Sequence, residues 1–347
     1  MLITVIRLIK NKIKRFFYVR RHHYITDPNV EIIHNVKSRT IKINRNLMSF
    51  QDNHDIISYV KNIINPRGSE IINNFQKGYM YAGLTKYAYR YNDSNLFKQV
   101  KRKLDKFIFD NGKLKYRLIR LDQVPIGLAY IDLFRMSNDK KYLTTVNEIY
   151  TFLIDRQKAD GRLLYIMGSD VQHVDSLGMT IPFLCEYNEI FPNKNTLHLI
   201  RESFNEYNKW GVDKTSGLPV HGYNINSKAK IGSANWGRGI GWYLLGASYY
   251  DQFNTSIIDS TLSQITEYTQ FIFQPGKFDS STALMFEIYK QRNVEPPKRS
   301  INFIKEHITR SGYVDSCSGD TFTYNRYAHK FTYSEFTNGL FLLLISK

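Results

Sequence analysis

Cysteine, proline and long apolar runs are all scarce in this sequence of 347 residues. It contains two cysteines and nine prolines, and Cys185 and Cys317 form no Cys-x-x-Cys pair. These counts exclude a disulfide framework and a zinc ribbon, and they fit a reducing compartment. No stretch approaches 18 consecutive apolar residues, so the sequence predicts no membrane-spanning helix.

The motifs of several common enzyme classes are absent as well. None of the nine histidines stands at a metal-ligand spacing such as His-Glu-x-x-His, so we predict neither a metal site nor a cofactor. The absence of a Gly-x-Ser-x-Gly elbow and of a P-loop disfavours serine hydrolases and P-loop NTPases. With 42% apolar and 23% charged residues, the composition is that of an ordinary globular protein.

Positive charge is in excess, and it is concentrated near the N-terminus. The formal net charge is +17, and residues 1–45 contain eleven lysines and arginines against only Asp27 and Glu31. Cations and apolar residues alternate over residues 1–21, and no signal-peptide cleavage site follows them. We therefore predict a basic amphipathic N-terminal arm over residues 1–45 and one folded domain over residues 46–347.

Three roles are open for this arm. A basic amphipathic helix over residues 1–21 would suit the anionic inner face of a membrane, whereas a solvated extension would pack loosely on the domain. Nucleic acid is the least favoured partner, because the arm contains no recognisable binding module. We expect a cytoplasmic protein, peripheral on the inner membrane face if the first interpretation holds.

Beyond residue 50 the sequence reads as successive helices joined by polar turns. The segment around Asn92-Asp93 is repeated around Asn138-Asp139, and such units bury their apolar faces by stacking on neighbours. Twelve helices make six hairpins, which predicts an all-α fold, an (α/α)6 toroid whose inner wall is every second helix. Short strands are predicted near 161–168 and 218–232. The predicted helices lie near 51–64, 76–92, 94–109, 122–136, 139–157, 174–190, 195–210, 236–253, 257–273, 280–292, 298–308 and 333–345.

In such a barrel the even-numbered helices all begin at one end. Asp122 and Asp175 stand at two of these starts, and aromatic rings, hydroxyls and an arginine stand at the others. Aromatic faces stack on sugar rings and carboxylates transfer protons, so this rim suits a carbohydrate. The long connections at 158–173 and 211–235 would shape the pocket. The candidates for substrate contact are Tyr81, His221, Trp236, Arg238, Trp242, Ser281 and Thr282.

Each candidate also has a purely structural interpretation. Aspartate at a helix start commonly caps the helix, and taken singly this is the favoured role for Asp122 and Asp175. Trp236 and Trp242 would by themselves be assigned to the core. The three glycines around Arg238 are harder to explain, because each costs about 1 kcal/mol in a helix relative to alanine. They indicate that a backbone or a ligand approaches closely there.

Two segments resemble the signature stretches of glycoside hydrolase families 88 and 105, the unsaturated glucuronyl and rhamnogalacturonyl hydrolases. They are Val174-Asp175-Ser176-Leu177-Gly178-Met179-Thr180-Ile181-Pro182-Phe183-Leu184 and Trp236-Gly237-Arg238-Gly239-Ile240-Gly241-Trp242. The similarity extends over about residues 75 to 345 and leaves the arm outside. Supporting matches are Leu121-Asp122 with Gly127-Leu128-Ala129, the segment Gly217 to His221, and Ser280 to Ala283.

This resemblance implies a six-hairpin barrel and a substrate with a 4,5-unsaturated uronic acid. The enzyme would hydrate the vinyl ether, and the resulting hemiketal would open and release the sugar. Asp175 would be the general acid/base and Asp122 the second essential carboxylate. Burial should raise the pKa of Asp175 against the opposing effect of a helix N-terminus. Trp236, Arg238, Trp242 and His221 would line the pocket.

The chain departs from the family pattern at Ile240, where the family has asparagine, and at Tyr223, an aromatic offset from its expected position. These departures leave the particular sugar open. The main alternative is a non-catalytic glycan-binding or polysaccharide-biosynthesis protein on the same toroid. A weaker alternative is a toroid enzyme that acts on ordinary uronides.

Overall fold

The computed structural model describes residues 30–44, 74–157, 162–166, 168–250, 259–272, 279–290, 298–319, 321, 324 and 331–346. Twelve α-helices lie within these ranges. They are α1 (Val30–Thr40), α2 (Phe75–Arg90), α3 (Ser94–Leu104), α4 (Ile126–Ser137), α5 (Lys141–Ile154), α6 (Asp175–Ile190), α7 (Lys194–Gly211), α8 (Gly237–Tyr250), α9 (Asp259–Ile272), α10 (Ser280–Lys290), α11 (Lys298–Glu306) and α12 (Glu335–Ile345).

The even-numbered helices form a closed inner ring. Each packs against the next even-numbered helix, and α12 packs against α2 to complete the circle. The odd-numbered helices lie outside them, so each pair is a hairpin. This arrangement confirms the predicted all-α (α/α)6 toroid, and it places the first residues of all six inner helices at one end of the barrel.

Aromatic side chains fill the middle of the ring. The ring of Trp242 on α8 packs against Phe75 and Tyr79 of α2 and against Phe336 of α12, at centroid separations of 5.2, 6.0 and 5.2 Å. Helices α2 and α12 also touch through Gly83, where a Cβ atom would lie 2.1 Å from the carbonyl oxygen of Gly339. The barrel is therefore a packed core rather than a pore.

Proline within α6 creates a bond between α2 and α6. Pro182 has no N–H group, so the carbonyl oxygen of Gly178, four residues earlier, receives no helical hydrogen bond from it. The hydroxyl of Tyr79 donates to this carbonyl oxygen instead. Gly178 also lies against Trp242, where a Cβ atom would be 2.5 Å from the indole ring. The first half of α6 is thus fixed to the adjacent inner helix α8 and, across the barrel core, to α2.

Two small antiparallel sheets lie in the connections. Strands β1 (Val171–His173), β2 (Gly222–Asn224) and β3 (Lys230–Ile231) pair in that order. The predicted strand near 218–232 is thus confirmed, whereas the one near 161–168 is replaced by β1, a few residues later. A second pair, β4 (Cys317–Ser318) with β5 (Phe331–Thr332), was not predicted.

The structure contains an outer helix, α1, that we did not predict. We expected a helix near 51–64, which lies outside the described residues, and assigned residues 1–45 to an arm. Instead α1 packs against α12 and α2, with a hydrogen bond of 3.0 Å from Asn338 to Thr40 and an ion pair of 2.7 Å between Lys37 and Asp93. A boundary at residue 45 therefore does not separate an arm from the barrel. The basic helix predicted over residues 1–21 lies outside the described residues.

Within the described part of the chain, no helix is long and apolar enough to cross a membrane.

Two valines of α1 test whether this helix belongs to the barrel wall. Val36 is 0% exposed and Val30 is 84% exposed. Val36→Asp should lower the free energy of unfolding by about 3 kcal/mol or more, because it buries a charge without a partner. Val30→Asp should change it by no more than about 0.5 kcal/mol. Equal effects of the two substitutions in denaturant titrations would show that α1 is not part of the folded unit.

Candidate active site

Strand pairing assembles the site at the N-terminal end of α6. In the β1–β2 register His173 lies opposite Gly222, and the backbone N–H of Val174 donates to the carbonyl oxygen of His221 at 3.0 Å. The connection that carries His221 is thereby held over the first residue of α6. That residue is Asp175.

The side chain of Asp175 does not cap its own helix. It occupies the first helical position, and α6 has no side-chain N-cap hydrogen bond. Its Oδ2 atom is buried and makes no hydrogen bond with any described residue, and the Nε2 atom of His221 lies 3.8 Å from it. The side chain as a whole is still 17% exposed. Asp175 is thus a carboxyl with a free oxygen and access to solvent.

Burial sets the protonation of Asp175. It is the largest influence and raises the pKa of the carboxyl from 3.8 to about 7. The positive charge of Arg238 and a hydrogen bond from the backbone N–H of Asp175 lower this pKa, and the charge of Asp122 raises it. The expectation that burial outweighs the helix N-terminus agrees with this balance. Near neutral pH the carboxyl therefore exists in comparable amounts as acid and as base.

Asp122 lies in the same site, in a 3-10 turn (Leu121–Gln123) just before α4. It is 4% exposed, and its Oδ2 atom is 2.9 Å from the guanidinium of Arg120. The hydroxyl of Tyr165 donates to Asp122 and is also close enough to Asp175 to feel its charge. The charges of Asp122 and Asp175 act on one another, and Tyr165 is close enough to feel both. Asp122 is held by charge-assisted hydrogen bonds rather than serving as the cap of α4.

Neutral imidazoles and aromatic rings form one side of the site. The ring of His221 lies 4.1 Å from that of Trp236 and 4.9 Å from that of Tyr324. The Tyr324 hydroxyl is 2.7 Å from Nε2 of His173. Burial lowers the pKa of His173 to about 4. Burial is also the largest influence on His221, and together with electrostatic repulsion from His173 and Arg238 it lowers the pKa of His221 to about 3. Both histidines are therefore uncharged at neutral pH and can accept or donate one hydrogen bond each.

Arg238 supplies a second positive charge, besides that of Arg120. Its guanidinium donates to the backbone oxygen of Ser318 at 3.0 Å and to that of Gly319 at 2.7 Å, and it lies 5.8 Å from the ring of Trp236. The glycine at 239 explains part of the glycine cluster, since a Cβ atom there would meet the Trp236 ring at 2.5 Å. The close approach predicted from the glycines thus comes from the protein's own side chains, Trp236 at Gly239 and Met285 at Gly241.

The other candidates from the sequence are buried and make their contacts inside the fold. Trp242 is fully buried in the barrel core, and Tyr81 is buried against Phe107 at a centroid distance of 6.1 Å. The hydroxyls of Ser281 and Thr282 donate to Asp279 at 2.7 and 2.6 Å, and both residues are buried. Their hydroxyls are used inside the fold, so we do not include these four residues in the proposed site. Ile240 is buried as well, so the departure from the family pattern lies in the core.

Sequence reasoning missed several residues of the site. His173 precedes Asp175 by two positions and Arg120 precedes Asp122 by two, a spacing that could have drawn attention to both. Tyr165 and Tyr324 carried no such signal, because their positions depend on how connections fold over the barrel end. Among the described residues no group of histidine, cysteine, aspartate and glutamate side chains could hold a metal ion.

The family model of Glycosyl Hydrolase Family 88 matches residues 43–269, more than half of the chain. The chain belongs to this family. As a member of Glycosyl Hydrolase Family 88 it is a glycoside hydrolase, an enzyme that acts on glycans. No curated protein matches the chain.

Solved structures share the fold of this family 88 chain at low sequence identity. A possible family 105 glycoside hydrolase from Klebsiella pneumoniae has a TM-score of 0.71 at 14% identity, covering 91% of each chain. A family 105 glycoside hydrolase from C. acetobutylicum has a TM-score of 0.67 at 15% identity, covering 83% of this chain and 97% of its own. An unsaturated glucuronyl hydrolase specific for heparin has a TM-score of 0.64 at 15% identity, covering 91% and 94%.

The raised pKa of Asp175 predicts a pH-dependent gain of stability in Asp175→Asn. The carboxyl of Asp175 has a higher pKa in the folded protein than in the unfolded chain. This difference contributes stability that is fully present below the unfolded-state pKa, near 4, and that is lost as the pH rises through about 7. Asparagine carries no charge to bury. The variant should therefore gain about 2 to 4 kcal/mol over the wild type between pH 5 and pH 8.

Thermal unfolding of both proteins across this pH range measures the difference directly. Comparison of the two proteins at each pH cancels the contributions of other titrating groups, such as His173 and His221. A difference in Tm that does not change between pH 5 and pH 8 would contradict a buried, raised-pKa carboxyl.

Proposed function

We propose that the protein removes an unsaturated uronic acid from an oligosaccharide by hydrating its 4,5 double bond. The observation that carries this proposal is the state of Asp175, a solvent-reachable carboxyl whose pKa burial raises to about 7. Hydration of a vinyl ether requires one group that first gives a proton and then takes one from water. A carboxyl with a pKa near the working pH does both efficiently.

The reaction balances with Asp175 as the acid and the base. The carboxyl transfers its proton to carbon 4, and the resulting positive charge is shared between carbon 5 and the ring oxygen. Water adds to carbon 5 and gives its proton to the carboxylate of Asp175, which restores the acid. The product is a hemiketal at carbon 5, which opens to a ketone. Carbon 1 then becomes a hemiacetal, which collapses to an aldehyde and releases the remaining sugar.

The surrounding groups fit this sequence of steps. Asp122, held by Arg120 and Tyr165, supplies negative charge close to Asp175, which favours the positive transition state and keeps the acid protonated. Trp236 offers an aromatic face for a sugar ring. His221, uncharged and 3.8 Å from Asp175, is placed to orient a water or a substrate hydroxyl.

Two further expectations remain predictions. Binding of residues 1–21 to an anionic membrane surface and a cytoplasmic location both depend on a segment outside the described residues. A non-catalytic glycan-binding role on the same toroid is the alternative to the enzymatic proposal. The following experiment decides between the enzyme and the glycan-binding protein.

Asp175→Asn should lose at least about 1,000-fold in kcat/KM on an unsaturated disaccharide, since it removes the only proposed proton donor. The reaction is followed as loss of the ultraviolet absorbance of the double bond. Asp132→Asn is the matched control, because Asp132 is also a buried carboxyl with a raised pKa, about 6, but it lies on α4 beside Lys86 and Arg135. Asp132→Asn should keep wild-type turnover.

Retained turnover in Asp175→Asn would contradict the assignment of the acid. If the wild-type protein binds a panel of unsaturated disaccharides but turns over none of them, the binding alternative is correct.

The pH dependence of turnover follows from the same carboxyl. Because the protonated form is the active acid, kcat/KM should fall about tenfold per pH unit above a pKa near 7. A pH–rate profile that stays flat up to pH 9 would exclude Asp175 as the proton donor.

A further inference from the structure

The guanidinium of Arg238 is buried, and no carboxylate of the described residues pairs with it. It is 4% exposed, and its contacts are the backbone oxygen and hydroxyl of Ser318, at 3.0 and 3.3 Å, and the backbone oxygen of Gly319, at 2.7 Å. No carboxylate of the described residues lies within ion-pair distance of it. Buried arginines ordinarily pair with carboxylates, so three uncharged oxygens here take the place of a counter-ion.

Asp279 fixes the residue that provides two of those oxygens. Its Oδ2 atom accepts hydrogen bonds from the backbone N–H of Ser318 at 3.1 Å and from its hydroxyl at 2.6 Å. The hydroxyl of Ser318 therefore lies between the carboxylate of Asp279 and the guanidinium of Arg238. Asp279 also accepts from the backbone N–H of Thr282 at 2.8 Å, which anchors this arrangement to the first turn of α10.

We call the arrangement of Asp279, Ser318 and Arg238 the clamp. Asp175 is the charged group that a change in the clamp would affect most. Its Oδ2 atom is buried and accepts no hydrogen bond from a described residue, and the charge of Arg238 already acts on it. A guanidinium released from the loop oxygens would find this carboxylate as an acceptor. An Arg–Asp ion pair would then hold Asp175 ionised, which removes the acid.

We propose that Ser318 is a positioning residue that, fixed by Asp279, holds the Arg238 guanidinium on the oxygens of its loop and keeps it out of an ion pair with Asp175. The clamp lets the site keep a positive charge without neutralising its acid. The consequence for catalysis rests on the proposed function, whereas the consequence for the protonation of Asp175 does not.

The other groups that face Asp175 come from elements other than α8 and β4. Their side chains are the same in the wild type and in a Ser318 variant, so a difference between the two proteins is assigned to the clamp. They are Asp122 from the 3-10 turn, Tyr165 from the connection before β1, Tyr207 from α7, His221 from the residue before β2, and Tyr324 from the segment after β4.

Ser318→Ala in the full-length chain tests the proposal without substrate. The Tm difference between Asp175→Asn and its parent stops changing with pH above the folded-state pKa of Asp175. This upper limit marks the midpoint of the carboxyl's titration in the folded protein, and it is measured in the wild-type and Ser318→Ala backgrounds. The midpoint should move to lower pH by about 1 or more in Ser318→Ala, because Arg238 approaches Asp175. Ser248→Ala is the matched control, since its hydroxyl bonds to Leu245 within α8 at the far end of the helix that carries Arg238, and it should leave the midpoint unchanged.

A midpoint in Ser318→Ala that is unchanged, or that moves to higher pH, overturns the proposal. If Ser318→Ala does not fold, Ser318→Cys replaces it, because the thiol keeps the shape of the side chain but is a weak hydrogen-bonding group.

A second readout connects the clamp to turnover. On an unsaturated disaccharide, the alkaline limb of the kcat/KM profile should move to lower pH in Ser318→Ala by the same amount as the stability midpoint. A loss of activity at all pH values with an unshifted profile would indicate a merely structural role and overturn the proposal. Absence of turnover in the wild type would refute the proposed function, and the stability midpoint would still decide on the clamp.

Discussion

One buried carboxyl beside an arginine that does not pair with it is the constraint on which this site depends. Burial alone pushes the pKa of Asp175 upward, and the charge of Arg238 pushes it downward; the result, about 7, lies where a single group can serve as acid and base. Burial alone would raise the pKa further, and the charge of Arg238 alone would lower it below its ordinary value. The site therefore requires that Asp175 be largely buried while part of its side chain stays open to solvent. It also requires that the Arg238 guanidinium lie near Asp175 without forming an ion pair with it.

The barrel supplies the positions and the small sheets supply the seclusion. Because the inner helices form a closed ring and all begin at one end, the starts of α4, α6 and α8 bring the Asp122 turn, Asp175 and Arg238 to one rim. The β1–β2 pairing then holds His221 beside Asp175, and the last residue of β4 and the residue after it hold Arg238. Helices thus fix where the charged groups stand, and the irregular connections fix what surrounds them.

The sequence predicted those residues of the site whose positions depend on helix periodicity. It did not predict those whose positions depend on how the connections fold. Helix spacing predicted the toroid and placed Asp122 and Asp175 at inner-helix starts, because amphipathic repeats leave few ways to bury their apolar faces. The same reasoning could not separate pocket from core for Trp242 or Ser281, since a helix start has both an inward and a rim-facing side. It also missed α1, whose valines and isoleucines are interspersed with the charges that suggested a free arm.

The central claim is tested most directly by the titration of Asp175 itself. In protein labelled with 13C at the aspartate carboxyls, the resonance that disappears in Asp175→Asn identifies this residue, and its chemical shift is followed from pH 4 to pH 9. The account predicts a midpoint of about 7. A midpoint near 4, the value of an ordinary exposed aspartate, would contradict it.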